Sequence, residues 1–177
     1  MTMIDNALRV CLCCVLAGPL LLGGCENGTG LRATTQPAVR KVEPPLSLLL
    51  PREIRIHPFT GTRTFDEAGG IRGVDVRIEA VDAYGDTSKA FGEFRFELFT
   101  YMANSENTRG QSLATWDVSL MDAKANLLHW DKITRTYKFK LQWDQAIPVG
   151  QRFVLAAVLS SPYTERLFAQ RTFISGQ

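Results

Sequence analysis

Val74-Asp75-Val76-Arg77-Ile78-Glu79-Ala80 is the stretch on which the fold turns. Its apolar and charged residues alternate one for one. Successive side chains of a β-strand point to opposite faces, so Val74, Val76, Ile78 and Ala80 share one face while Asp75, Arg77 and Glu79 share the other. A helix would scatter the same four apolar residues around its circumference. The stretch is therefore expected to be a strand with one dry and one wet face, as antiparallel sheets usually have.

The same period recurs on both sides of it. Ile54 and Ile56 alternate with Glu53, Arg55 and His57. Phe94, Phe96 and Leu98 alternate with Glu93, Arg95 and Glu97, and Tyr137, Phe139, Leu141 and Trp143 with Lys138, Lys140 and Gln142. Residues 153–159 (FVLAAVL) are apolar on both faces and suit a central strand, with 167–174 as its neighbour across Ser160-Ser161-Pro162-Tyr163. Turn signals separate the runs: Gly61, Gly69-Gly70, Tyr84-Gly85-Asp86, residues 104–107 and Pro148-Val149-Gly150.

Residues 112–128 fit two templates. Leu113, Trp116, Leu120, Ala123 and Leu127 recur at helical spacing, whereas Ala114, Trp116, Val118 and Leu120 recur at strand spacing. The surrounding strands favour a strand, with a turn at 122–126. That gives an all-β fold of about seven strands, an antiparallel β-sandwich of immunoglobulin-like or C2-like kind over residues 46–177. Trp116 and Trp143 fall on inward phases and are expected in its core.

The N-terminal part has another character. Residues 10–22 (VCLCCVLAGPLLL) carry no charge and are too short for the roughly 20 residues of a membrane-spanning helix. A short polar segment with Arg9 and Asp5 precedes them, and Leu22-Gly23-Gly24-Cys25 closes them. That order resembles the signal peptide and lipobox of bacterial lipoproteins. The resemblance implies that residues 1–24 are cleaved off, with Leu22, Gly23 and Gly24 recognised by the signal peptidase. It makes Cys25 the lipid-attachment residue, carrying a diacylglyceryl group on sulfur and an acyl chain on the freed amine. The membrane, held through those chains, is then the first partner. In enteric bacteria Asp after the lipidated cysteine retains such proteins at the inner membrane; Glu26 therefore points to the outer one, if two membranes exist. Cys11, Cys13 and Cys14 all lie in the cleaved part, which leaves Cys25 as the single cysteine and excludes a disulfide.

Residues 25–45 (CENGTGLRATTQPAVRKVEPP from Cys25 on) have little apolar patterning and read as a flexible tether to the domain, with Arg32, Arg40 and Lys41 solvated. The net charge of +2 survives cleavage, because Arg9 and Asp5 cancel. A balance so near zero gives no pull toward nucleic acid.

Catalytic chemistry is not evident. The only histidines are His57, at a strand end before Pro58, and His129, in a loop or short strand before Trp130. Neither has a partner at catalytic or metal-ligand spacing, and both are expected to be structural. Asp82 and Asp86 flank a loop tip and are the candidates for a calcium site, with Asp66, Glu67, Asp122 and Asp144 as further ligands if their loops share that end. Aspartates in turns also bond their own backbone, and that is the plainer reading. Tyr84, Tyr101 and Trp130 are the candidates for an aromatic ligand platform. The expectation is a non-enzymatic envelope domain with a structural, assembly or accessory role, without cofactor, whose partner is an envelope protein or polysaccharide. The alternative is a carbohydrate- or calcium-dependent binding module. The blocks Arg55-Ile56-His57-Pro58-Phe59-Thr60 and Gly92-Glu93-Phe94 resemble those of uncharacterised envelope lipoproteins, which adds no mechanism.

Overall fold

The computed structural model describes residues 46–70 and 72–176. The expected signal segment, the tether and Cys25 lie outside the described residues. A 3₁₀ turn (Leu46–Leu49) leads into nine strands and one short helix. In chain order these are β1 (Glu53–Ile56), β2 (Gly61–Thr64), β3 (Arg72–Val81), β4 (Glu93–Tyr101), β5 (Arg109–Ser119), α1 (Ala123–His129), β6 (Trp130–Asp131), β7 (Thr136–Gln142), β8 (Arg152–Ser160) and β9 (Leu167–Ile174).

Two antiparallel sheets form, an all-β sandwich as the alternation requires. The first has the order β1-β3-β7-β6, with β2 also on β3; the second has the order β5-β4-β8-β9. The apolar phases face each other. Val74, Val76, Ile78 and Ala80 are fully buried, as are Phe94, Phe96 and Leu98 from the opposite sheet. Between the sheets, Phe139 meets Phe94 and Phe96 at ring-centroid distances of 5.3 and 4.9 Å. Full burial of each such side chain contributes about 1.5–3 kcal/mol, so this aromatic seam dominates the packing. β8 is buried along most of its length and lies between β4 and β9, the central place its two apolar faces demand.

The strand count exceeds the expected seven because the outermost strands are short and irregular. β1 and β2 lie end to end on one edge of β3, pairing with Ile78–Val81 and then with residues 72–75. Gly61, expected as a turn, opens β2. Residues 57–60 bulge out against Val76 and Arg77 alone, because Pro58 has no N–H to offer a ladder. Thr60 closes the gap: its hydroxyl accepts the Arg77 N–H at 3.0 Å, and the His57 N–H reaches the Arg77 carbonyl at 2.8 Å. β6 has only two residues, paired with Thr136 and Tyr137.

Residues 112–128 divide between both templates. The strand reading holds to Ser119. Residues 122–126, expected as a turn, instead begin α1, and His129, expected in a loop or short strand, is its last residue. Asp122 is the reason: its carboxylate accepts the Ala125 N–H at 3.0 Å and caps the helix. Leu120 is buried and fixed by a backbone bond from its N–H to the Gly92 carbonyl.

Past its short pairing with β6, β7 has a bare edge, and side chains cover it. The Lys138 carbonyl accepts from the His129 ring at 3.1 Å, and the Gln142 carbonyl accepts from the Trp116 indole N–H at 2.7 Å. Such plugs remove acceptors that another chain's strand would use. Trp143 is buried edge-on against Phe153, at 5.9 Å and 87°. Trp116 is only half-buried, packed against the core rather than inside it.

Candidate functional site

Strand registers sort the loops into two ends. β3 reaches the near end at Val81, which pairs with Glu53, and β4 leaves it at Glu93, paired with both Ser119 and Ser160. The near end therefore gathers residues 46–52, 82–92, 120–129, 132–135 and 161–166. The far end gathers 65–70, 102–108, 143–151 and 175–176.

This sorting separates the candidates. Asp82, Tyr84 and Asp86 are at the near end, and so is Trp130. Tyr101 is at the far end, where Arg152 lies over its ring at 5.4 Å. Of the further acidic residues, only Asp122 shares the near end. Asp66 and Glu67 lie in the β2–β3 turn and Asp144 in the β7–β8 connection, both far-end loops. Lys138 and Lys140 belong to β7 and Arg152 to β8 in the other sheet, so no one sheet face gathers these three cations.

Asp82 is engaged by its own loop. One carboxylate oxygen accepts the N–H groups of Tyr84 (2.9 Å) and Asp86 (3.1 Å), while the Asp82 N–H reaches the Asp86 carbonyl at 3.0 Å. Gly85, at φ +88°, turns the chain inside this loop, a conformation that costs glycine little. The aspartate thus builds the turn. Among the described residues, no three His, Cys, Asp or Glu side chains gather in a group able to hold a metal. His57 is also locally employed. Its Nδ1 accepts the Phe59 N–H at 3.2 Å and its Nε2 stands 3.6 Å from Glu79.

What the near end does assemble is apolar. The large side chains that stand exposed at the far end are Met102 and Val149, and Phe59 and Phe168 lie on the flanks; all the others belong to the near end. Phe91, Met121 and Leu127 line one groove there with Lys89 and Asn126. Tyr163 meets Phe91 at 5.5 Å with the rings tilted by 44°, and continues the surface into a second groove with Ser47, Leu50 and Arg52. Trp130, half-buried against Tyr137 at 5.0 Å, carries Lys89 over its indole ring at 5.5 Å. Sequence periodicity missed this cluster because its members come from separate loops and the short α1, outside the regular strands. The nearest signal is the unpaired apolar dipeptide Leu127-Leu128, which strand alternation does not explain.

A knot of hydrogen bonds supports the grooves from beneath. The Ala90 N–H donates to the Tyr137 hydroxyl at 2.9 Å, and the Asn126 amide donates to the carbonyls of Ala90 (2.6 Å) and Leu120 (3.3 Å). Burial pushes the Tyr137 phenol up from its usual range, against the smaller opposing effect of its bonds from Ala90 and to Asn126. The Asp131 carboxylate at the β6–β7 turn is held below the ordinary range by the N–H groups of Ile133 and Thr134.

No protein-family model, curated protein or solved structure matches this chain.

Proposed function

We propose that the chain is a lipid-anchored, non-enzymatic cell-envelope protein that displays its β-sandwich in a structural, assembly or accessory role. The observation that carries this reading is the ending of a charge-free 13-residue run in Leu22-Gly23-Gly24-Cys25. A cysteine thiolate is a soft nucleophile suited to taking up the diacylglyceryl group. Three acyl chains bind a membrane stably where one does so only marginally, each buried methylene contributing about 0.8 kcal/mol. The outer membrane is the proposed location, from Glu26 in place of Asp. The geometry of the sandwich favours a scaffold over a reaction centre: its histidines, Asp82 and Asp122 are each employed in local backbone or cross-strand contacts.

Replacing Cys25 with Ser tests the anchor. The variant is expected to leave the membrane fraction or to remain unprocessed, and mass analysis of the native N-terminal peptide is expected to show acyl additions on Cys25. A variant of mature size that stayed in the membrane would overturn the reading.

A further inference from the structure

We infer that the apolar near end of the sandwich is a membrane-contact surface, seated at the headgroup–acyl boundary of the bilayer that holds the anchor. The inference rests on the lipid anchor proposed above and adds which face of the domain meets the lipid.

Three observations point to lipid as the occupant. First, the chain enters the domain at this end. Residues 46–52 run along it, with the Leu48 carbonyl accepting the Ala83 N–H at 3.2 Å and the Arg52 N–H reaching the Val81 carbonyl at 2.8 Å. Second, the length of chain outside the described part sets the geometry. A coil of as many residues as separate Cys25 from Leu46 would have an r.m.s. reach of about 25 Å. A strand such as β3, with its 10 residues, is about 33 Å long, so a coil of that reach keeps the entry end nearer the anchor, on average, than the far end. Third, the exposed apolar side chains concentrate at the entry end, and several are of the kind that suits an interface. Tyr163 and Tyr84 pair an apolar ring with a polar tip, as residues at the water–lipid boundary do. Met121 and Leu127, 46 and 56 % exposed, supply the part that enters the acyl region.

Charge adds little. Arg52, Lys89, Lys124, Lys132, Arg135 and Arg166 stand at the same end as Asp82, Asp86, Asp122 and Glu165, an excess of two scattered cations. Contact is therefore driven mainly by apolar burial and is expected to depend only weakly on the fraction of anionic lipid, unlike polybasic attachment.

The test places environment-sensitive fluorophores on single introduced cysteines, Met121→Cys and Leu127→Cys at the near end and Val149→Cys at the far end. α1 holds no buried residue and Val149 is 85 % exposed, so the core is undisturbed. The full lipidated chain is reconstituted in phosphatidylethanolamine–phosphatidylglycerol vesicles whose acyl chains carry bromine. The near-end labels are expected to shift to the blue and to be quenched, while the far-end label stays in water. Met121→Ser combined with Leu127→Ser, on a chain labelled at Phe91→Cys, is expected to weaken quenching about tenfold. Near-end labels that remain water-like, or equal quenching at both ends, would overturn the inference. So would a blue shift of the near-end labels without lipid that grows with protein concentration, since it would assign the surface to a second copy of the chain. The Cys25→Ser chain, with Cys11, Cys13 and Cys14 also replaced by Ser so that only the introduced thiol takes the label, keeps the two readings apart. If the native chain proves to carry no acyl group, the anchor fails. Labelled Cys25→Ser chain added to the same vesicles then still reports on the surface, and quenching there sustains it whereas none sinks it.

Discussion

The Tyr137 hydroxyl donates to the Asn126 side-chain carbonyl at 2.9 Å, joining the first turns of β7 and α1 beneath the near-end grooves. Tyr137 is fully buried, and its oxygen also accepts the Ala90 N–H. Each partner satisfies groups that burial would otherwise leave bare. Tyr137→Phe orphans the Ala90 N–H and the Asn126 carbonyl, and Asn126→Ala strips the Ala90 and Leu120 carbonyls of a donor. Leaving one such group unmet costs about 1–3 kcal/mol, and each variant is expected to lose that much in urea unfolding. The double variant is expected to lose clearly less than the two losses added together, because both remove the same bond. Full additivity would show that the two residues are not coupled.

The same phenol makes stability depend on alkaline pH. Its folded pKa lies above the unfolded one, so the native state holds the proton more tightly. The contribution is complete below the unfolded tyrosine pKa of about 10 and is lost as pH climbs through the folded value. Melting temperatures across that window are expected to fall more steeply for the native chain than for Tyr137→Phe. Parallel curves would mean that other groups set the alkaline limit.

Asp82 offers a test of loop chemistry against metal chemistry. Its carboxylate serves two backbone N–H groups, and an amide oxygen serves them equally well, so Asp82→Asn is expected to change stability by less than about 0.5 kcal/mol. Asp82→Ala is expected to cost about 1 kcal/mol for the lost turn bonds. Millimolar calcium is expected to leave the melting temperature of the native chain unmoved, since calcium takes about six to eight oxygens and, among the described residues, no three His, Cys, Asp or Glu side chains gather around Asp82 in a group able to hold it. A rise abolished by Asp82→Asn would instead assign the loop to calcium.

The plugs on β7 bear on solubility as well as stability. Trp116→Phe keeps the ring against the core but frees the Gln142 carbonyl, and is expected to cost about 1 kcal/mol. Combined with His129→Ala, it opens two acceptors on one edge. Light scattering of the double variant is expected to show association at concentrations where the native chain stays dispersed.

The sandwich was legible in the sequence wherever a strand had one wet face. Alternation located β1, β3, β4 and β7 directly, and the unbroken apolar run located β8. It could not find β2 or β6. β2 is half-exposed with Gly61-Thr62-Arg63-Thr64, and β6 is two residues long, so neither shows a period. α1 hid because its seven residues hold none that is buried, and the helical spacing of Leu120, Ala123 and Leu127 was outweighed by the strand spacing that runs up to Leu120. The sites suffered in the same way. Tyr84, Trp130 and Tyr101 look equivalent in the sequence, and only the strand registers divide them between opposite ends. The grooves at the near end are assembled from short runs in separate loops and from α1, a relation that no local window contains.

The bulge at 57–60 gives the last prediction. Pro58 interrupts the edge of β3, and the Thr60 hydroxyl takes the place of the missing backbone partner, accepting the Arg77 N–H at 3.0 Å. Thr60 is only 3 % exposed, so water does not replace that bond when it is lost. Thr60→Val keeps the shape and removes the oxygen, leaving the Arg77 N–H unmet at a cost of about 1–3 kcal/mol. Thr60→Ser keeps the oxygen and gives up one methyl, which costs only about 1 kcal/mol. The order of stability is expected to be Thr, then Ser, then Val, read from urea midpoints with unchanged slopes. Hydrogen exchange sharpens the test, because the Arg77 amide should lose protection in Thr60→Val while the Val76 amide, within the fully buried length of β3, keeps it. If Val proved as stable as Thr and the Arg77 amide stayed protected, the bulge would be held by Pro58 and the Ile56 and Gly61 pairings alone, and the hydroxyl would be incidental.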